Sequence, residues 1–326
     1  KDRVAKAIQT LKDSVVGGDA RLDFEDATMD CADYLQGRKP LDKASGAFAL
    51  VDHSPRFDVF VAGLNEGTPE VSLALLLSLK WMGFDIMRHS IAKDVFVYHE
   101  FSFDRALGID APLFQAAGWI EQSEAIAQYV WGKYYSRNIA QADVLFGKPS
   151  PAAWGGQHTN PYLVNKPAWF TTMTTIERNM WNQYGYDPDM DSLGPYWMLA
   201  QVWDDPDPAK VRNALLATRE HNIGTTFIKD VPEGNRVYHV DEFLLLYDYD
   251  IRSVNMRRKL MGLPIVEVEN YIYDMDLPLE VLPFAKDDVF YPAYVKMCEE
   301  LGVVPYAPDN SIDVRVDPKT LLVSRV

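Results

Sequence analysis

The chain offers three groupings of residues that could carry chemistry, and the first is an alternating run of carboxylates. In "GYDPDMDSLGPYW", Asp187, Asp189 and Asp191 occupy every second position with a glycine soon after. That is how a helix–loop–helix calcium site begins. Such a loop also needs glycine at its sixth position and a bidentate glutamate at its twelfth. Counted from Asp187 those positions hold Ser192 and Met198, and Pro188 falls at the second. The spacing therefore favours an acidic connection in which the aspartates make local turns over a calcium loop built on Asp187, Asp189 and Asp191.

The second grouping is histidine beside carboxylate. "YHE" sets His99 next to Glu100, and "YHVDE" sets His239 two residues before Asp241. His239, Asp241 and Glu100 are the candidate catalytic residues if the chain is a hydrolase-type enzyme whose site is assembled from dispersed positions. Against that reading, the sequence has no H-E-x-x-H, no G-x-S-x-G, no phosphate-binding glycine loop and no G-x-G-x-x-G. Histidine pairs do not reach the three or four ligands of a zinc site, and no cofactor is indicated.

The third grouping mixes acids with aromatics. One stretch carries Asp187, Asp189, Asp191, Trp197, Trp203, Asp204, Asp205 and Asp207 without an intervening Lys or Arg. The other carries Glu267, Glu269, Tyr271, Tyr273, Asp274 and Asp276. Carboxylates around aromatic anchors suit a partner surface rich in Lys and Arg. The competing reading is a solvated acidic face whose aromatics turn inward. Net charge over the 326 residues is −15. Such a field disfavours nucleic acid and anionic membranes and attracts basic proteins.

Helices must position these residues, since apolar spacing of three and four dominates the chain. Helices are predicted over 2–15 and 23–36, separated by a "GGD" turn. A helix starting at "TPEV", with Thr68 as cap and Pro69 in the first turn, is predicted to run to about Arg88. Its apolar residues cover almost the whole circumference, so it belongs in the core. Lys80 and Asp85 interrupt it, so it is not a membrane span. Further helices are predicted over 116–135, 136–146, 167–184, 194–203, 208–221, 241–261 and 287–301. Gly262 and Gly302 end the last two. Asp241 caps the helix over 241–261, and its bases Arg252, Arg257, Arg258 and Lys259 lie late, where they complement the helix dipole. In the tail, Ile312, Val314 and Val316 alternate with charges before a "DPKT" turn, which predicts a small β-hairpin.

The expected architecture is mainly α: a multi-helix, two-lobed bundle, with stacked helix pairs as a variant, closed by that C-terminal hairpin. There is no βαβ alternation and so no doubly wound sheet. The lobes are expected at 1–146 and 167–326, joined by the proline- and glycine-rich 147–166, unless the whole is one continuous domain. No signal peptide is visible, and two distant cysteines, Cys31 and Cys298, fit a reducing, cytoplasmic setting.

"LALLLSLKWMGFDIMRHSI", Leu73 to Ile91, and "HVDEFLLLYDYDIRSVNMRRKLMGLPIVEVE", His239 to Glu269, carry a resemblance. Together with the acidity, they resemble helical immunity proteins of bacterial polymorphic-toxin and contact-secretion systems. The resemblance implies a protein without catalysis of its own that clamps a toxin domain made by the same cell. An enzyme and a helical scaffold or regulator are the rival expectations.

Overall fold

A computed structural model describes residues 18–53, 59–60, 62–63, 66–95, 110–129, 198–199, 202–226, 249–268 and 278–326. The described part is mostly helical, with a small three-stranded sheet near the C-terminus. It falls into two compact units, one drawn from 6–101 and 282–326, the other from 102–281. The expected connection 147–166 and the helices over 2–15, 136–146 and 167–184 lie outside the described residues.

The first unit contains α1 (Gly18–Leu35), α2 (Leu41–Ala44), α3 (Gly46–His53), α4 (Pro69–Ala92), β1 (Phe284–Lys286), α9 (Phe290–Leu301), β2 (Ser311–Val316) and β3 (Val323–Arg325). Helix α4 is its axis. Val71 to Leu79 are buried without interruption, followed by Trp81, Met82 and Phe84 to Met87. The all-round apolar pattern is therefore met by packing on α3, α9 and β1. Thr68 precedes the helix but makes no side-chain cap bond, contrary to expectation, and α4 runs on to Ala92. Helix α1 likewise begins earlier than predicted, so Gly18 and Asp19 of the "GGD" stretch are helical.

The terminal hairpin is present as β2 and β3, paired antiparallel with Val314 opposite Arg325. It is joined by a strand the sequence did not announce. β1 pairs parallel with β2, Ala285 opposite Ile312, and α9 makes the crossover. One βαβ unit thus exists where none was expected. A strand of three residues is too short to show period-two alternation. Ser78 of α4 holds it, since its Oγ accepts the Ala285 N–H at 2.8 Å.

Asp287 starts α9. Its Oδ2 accepts the N–H groups of Val289 (2.9 Å) and Phe290 (2.7 Å), and its Oδ1 that of Tyr291 (3.2 Å). These are amides that a helix start leaves without an internal partner. Burial nevertheless pushes the Asp287 carboxyl above its ordinary range, against the pull of those amides. Gly302 ends α9 in the left-handed region (φ 62°), as predicted.

The second unit contains α5 (Ala111–Ala116), α6 (Ile120–Tyr129), α7 (Pro208–Thr226) and α8 (Tyr249–Leu260). The helix expected over 116–135 is present as α6 from Ile120 to Tyr129; its expected first residues close α5 and form the turn after it, and 130–135 lie outside the described residues. Gly118 makes the turn at φ 83°, and a Cβ there would sit 2.8 Å from the Val281 side chain. Both facts require glycine. α5 lies against α8, where the buried Gln115 donates to the Ser253 carbonyl at 3.0 Å. Among the described residues no helix is long and apolar enough to cross a membrane.

Candidate protein-interaction surface

Helix α8 gathers the described parts of both acidic stretches. Arg258 in its last turn is completely buried. Its Nη1 donates to the carbonyls of Trp203 and Asp205, each at 2.8 Å, and its Nε donates to the Pro264 carbonyl at 2.8 Å. One turn earlier, Asn255 exchanges two hydrogen bonds with the Val266 backbone, at 2.9 and 2.8 Å. Arg252 donates to the Pro278 carbonyl and Lys259 to that of Leu279, at 2.8 and 2.6 Å. The segments 203–205, 264–266 and 278–279 are thus fastened to one helix.

The chemistry of that fastening matters. Arg252 Nη2, Arg258 Nε and Nη1, and Lys259 Nζ each donate to main-chain carbonyls. The side chains of Asp204, Asp207, Glu267 and Glu280, on the segments so held, face solvent. The bases of the last turn stand where the helix dipole favours them, and two of them, Arg258 and Lys259, also hold other segments, while Arg257 pairs with Glu124 at 3.5 Å. Burial lowers the readiness of Arg258 to hold its proton, and the neighbouring Asp205 and Asp204 carboxylates oppose that shift.

Asp205 is paired with Lys210, whose Nζ lies 2.9 Å from its Oδ2. That bond, then the Asp207 N–H donated to Asp205 Oδ1, holds its carboxyl below the ordinary carboxylate range. Asp207 Oδ1 accepts the Ala209 N–H at 3.0 Å, so the expected acidic entry into α7 is present as a hydrogen bond. Trp203 is buried, its indole turned inward while Asp204 beside it faces water. Asp187, Asp189, Asp191, Trp197, Glu269, Tyr271, Tyr273, Asp274 and Asp276 lie outside the described residues. So do His239, Asp241 and Glu100.

The first unit holds a cluster of ionisable groups that sequence reasoning passed over. Asp85 is buried, and its Oδ1 lies 2.7 Å from Arg88 Nε, 2.6 Å from Arg88 Nη2 and 3.4 Å from His89 Nε2. Tyr294 of α9 donates to Asp85 Oδ2 at 2.6 Å and accepts the Tyr306 N–H at 2.7 Å. The chain α4–Asp85–Tyr294–Tyr306 is a polar clasp, and burial raises the Tyr294 hydroxyl above its ordinary range. The signal available was a carboxylate inside an otherwise apolar helix, which must find partners when buried. Beside it, burial pushes the Cys298 thiol up to about 12. Cys31 is also buried and raised, and both are free thiols. Burial disfavours the thiolate of both, which fits packing rather than nucleophilic work.

Among the described residues, no group of three or more His, Cys, Asp or Glu is placed to hold a metal ion. Compared with protein-family models, with curated proteins and with solved structures, the chain matches none.

Proposed function

We propose that this is a protein-binding module, a cytoplasmic bacterial protein of two helical lobes that captures and occludes a basic partner in the manner of an immunity protein neutralising a toxin domain. The observation that carries the reading is the arrangement around α8. Arg252, Arg258 and Lys259 donate to backbone carbonyls, Arg257 pairs with Glu124, and Asp204, Asp207, Glu267 and Glu280 are presented to solvent on the segments so held. Carboxylates on segments clamped in this way need little reordering on binding, which lowers the entropy loss of association. The net charge of −15 supplies long-range attraction for a Lys- and Arg-rich surface. The binding residues are Asp204, Asp205, Asp207 and Glu267 with Trp203 behind them. The acidic and aromatic pattern of the sequence adds Asp187, Asp189, Asp191, Trp197, Glu269, Tyr271, Tyr273, Asp274 and Asp276 to the proposal.

The test is capture of the partner from the native cell at moderate salt, identified by mass spectrometry. One stoichiometric basic protein, toxic when expressed alone and harmless when co-expressed, supports the reading. Retention of no protein, or of an acidic one, counts against it.

A further inference from the structure

At the end of α8 the chain exposes three large apolar side chains within six residues. Leu260 is 55% exposed, Met261 52% and Ile265 48%. Gly262 reverses the chain between them at φ 71°, and the Leu263 N–H returns to the Arg258 carbonyl at 2.9 Å. The same Arg258 that holds the acidic turn at 203–205 holds Pro264, so the apolar group and the carboxylates share one support. Glu267, two residues after Ile265, is exposed as well.

Resting on the protein-binding reading above, we propose that Leu260, Met261 and Ile265 form the centre of the contact. The occupant is then a partner segment that sets apolar side chains between lysines and arginines. Exposed singly, such residues would need no explanation, but three within six residues of one anchored turn, with exposed Glu267 two residues beyond, are of a kind that marks contact sites. The division of labour follows. The carboxylates steer and orient a basic segment, and the patch excludes water where its apolar side chains land. Methionine at the centre adapts to more than one side-chain shape.

The experiment uses the full chain and a synthetic helix-forming peptide with leucines on one face, flanked by lysine and arginine. A second peptide of the same composition is scrambled so that no apolar face forms. Binding is read by fluorescence anisotropy at physiological ionic strength, with circular dichroism as the check on folding. The amphipathic peptide is expected to bind more tightly than the scrambled one. Met261→Ser and Ile265→Ser should each weaken it about fivefold, half a side chain of burial being lost in each case. Those variants should leave the scrambled peptide unchanged. Glu267→Lys with Glu280→Lys should weaken both peptides. If the serine variants bind the amphipathic peptide as tightly as wild type while charge reversal still weakens it, the apolar centre is refuted and the acidic reading stands. If neither set of changes matters, both fall.

Discussion

Replacing Arg258 by methionine should loosen the acidic surface from beneath while leaving every surface carboxylate in place. The guanidinium is fully buried and makes three hydrogen bonds, to the carbonyls of Trp203, Asp205 and Pro264. A hydrogen bond from a charged donor contributes about 1.5 kcal/mol or more net, so three are worth at least about 4.5 kcal/mol. Methionine removes the desolvation cost of the buried charge, which offsets part of that loss, but it leaves three carbonyls without their donor. A net destabilisation of about 3 kcal/mol follows, roughly a hundredfold rise in the population of the opened surface. Hydrogen exchange reads this locally, because the amides of Trp203, Asp205, Leu263 and Val266 are all hydrogen-bonded here. Their protection should fall by about that factor, while Ser311–Val316 in the other unit keeps its own. Arg258→Lys retains the charge but not the fork geometry and should lie between wild type and methionine. Unchanged protection in Arg258→Met would refute the claim that this side chain clamps the surface.

Asp287→Ala withdraws the acceptor of three amides at the start of α9 and should destabilise that unit by about 2 kcal/mol, measured by urea unfolding with Phe290–Leu301 exchange as a local probe. Gly118→Ala adds a Cβ 2.8 Å from the Val281 side chain at a φ of 83°, so a loss of about 2 kcal/mol or more is expected in thermal unfolding. Asp205 gives a pH dependence whose sign is fixed. Its folded carboxyl lies below the ordinary 3.8, so its contribution is complete above that value and disappears as pH falls through the lower, folded value. An NMR titration of Asp205 should show this, and Lys210→Met should move the midpoint back up.

Much of the helical content was legible because burial imposes a period. α9 presents an apolar stripe of helical period, α4 is marked as a helix by its length and its Thr-Pro-Glu start, and Gly262 and Gly302 marked the helix ends through the left-handed conformation they adopt. What was not legible depends on partners distant in the chain. β1 exists because Ser78 and β2 receive it, not because three residues favour a strand. The break at Gly118 follows from Val281 on another segment. The burial of Arg258 was hidden for a further reason. A base in the last turn of a helix reads as an exposed partner of the helix dipole, and nothing local says that its donors are taken up by carbonyls from two other segments. The acidic stretches could be named from composition, but the anchoring of 203–205 and 264–266 to one helix could not.

The central claim is that the carboxylates held around α8 capture a basic protein. The most direct test is capture from the native cell by wild type and by an Asp204→Lys, Glu267→Lys, Glu280→Lys variant, side by side, with far-ultraviolet circular dichroism showing equal helix content. The account predicts one basic partner retained at stoichiometric level by wild type and lost, with its salt sensitivity, in the variant. A partner retained equally by both, at every salt concentration, would contradict it.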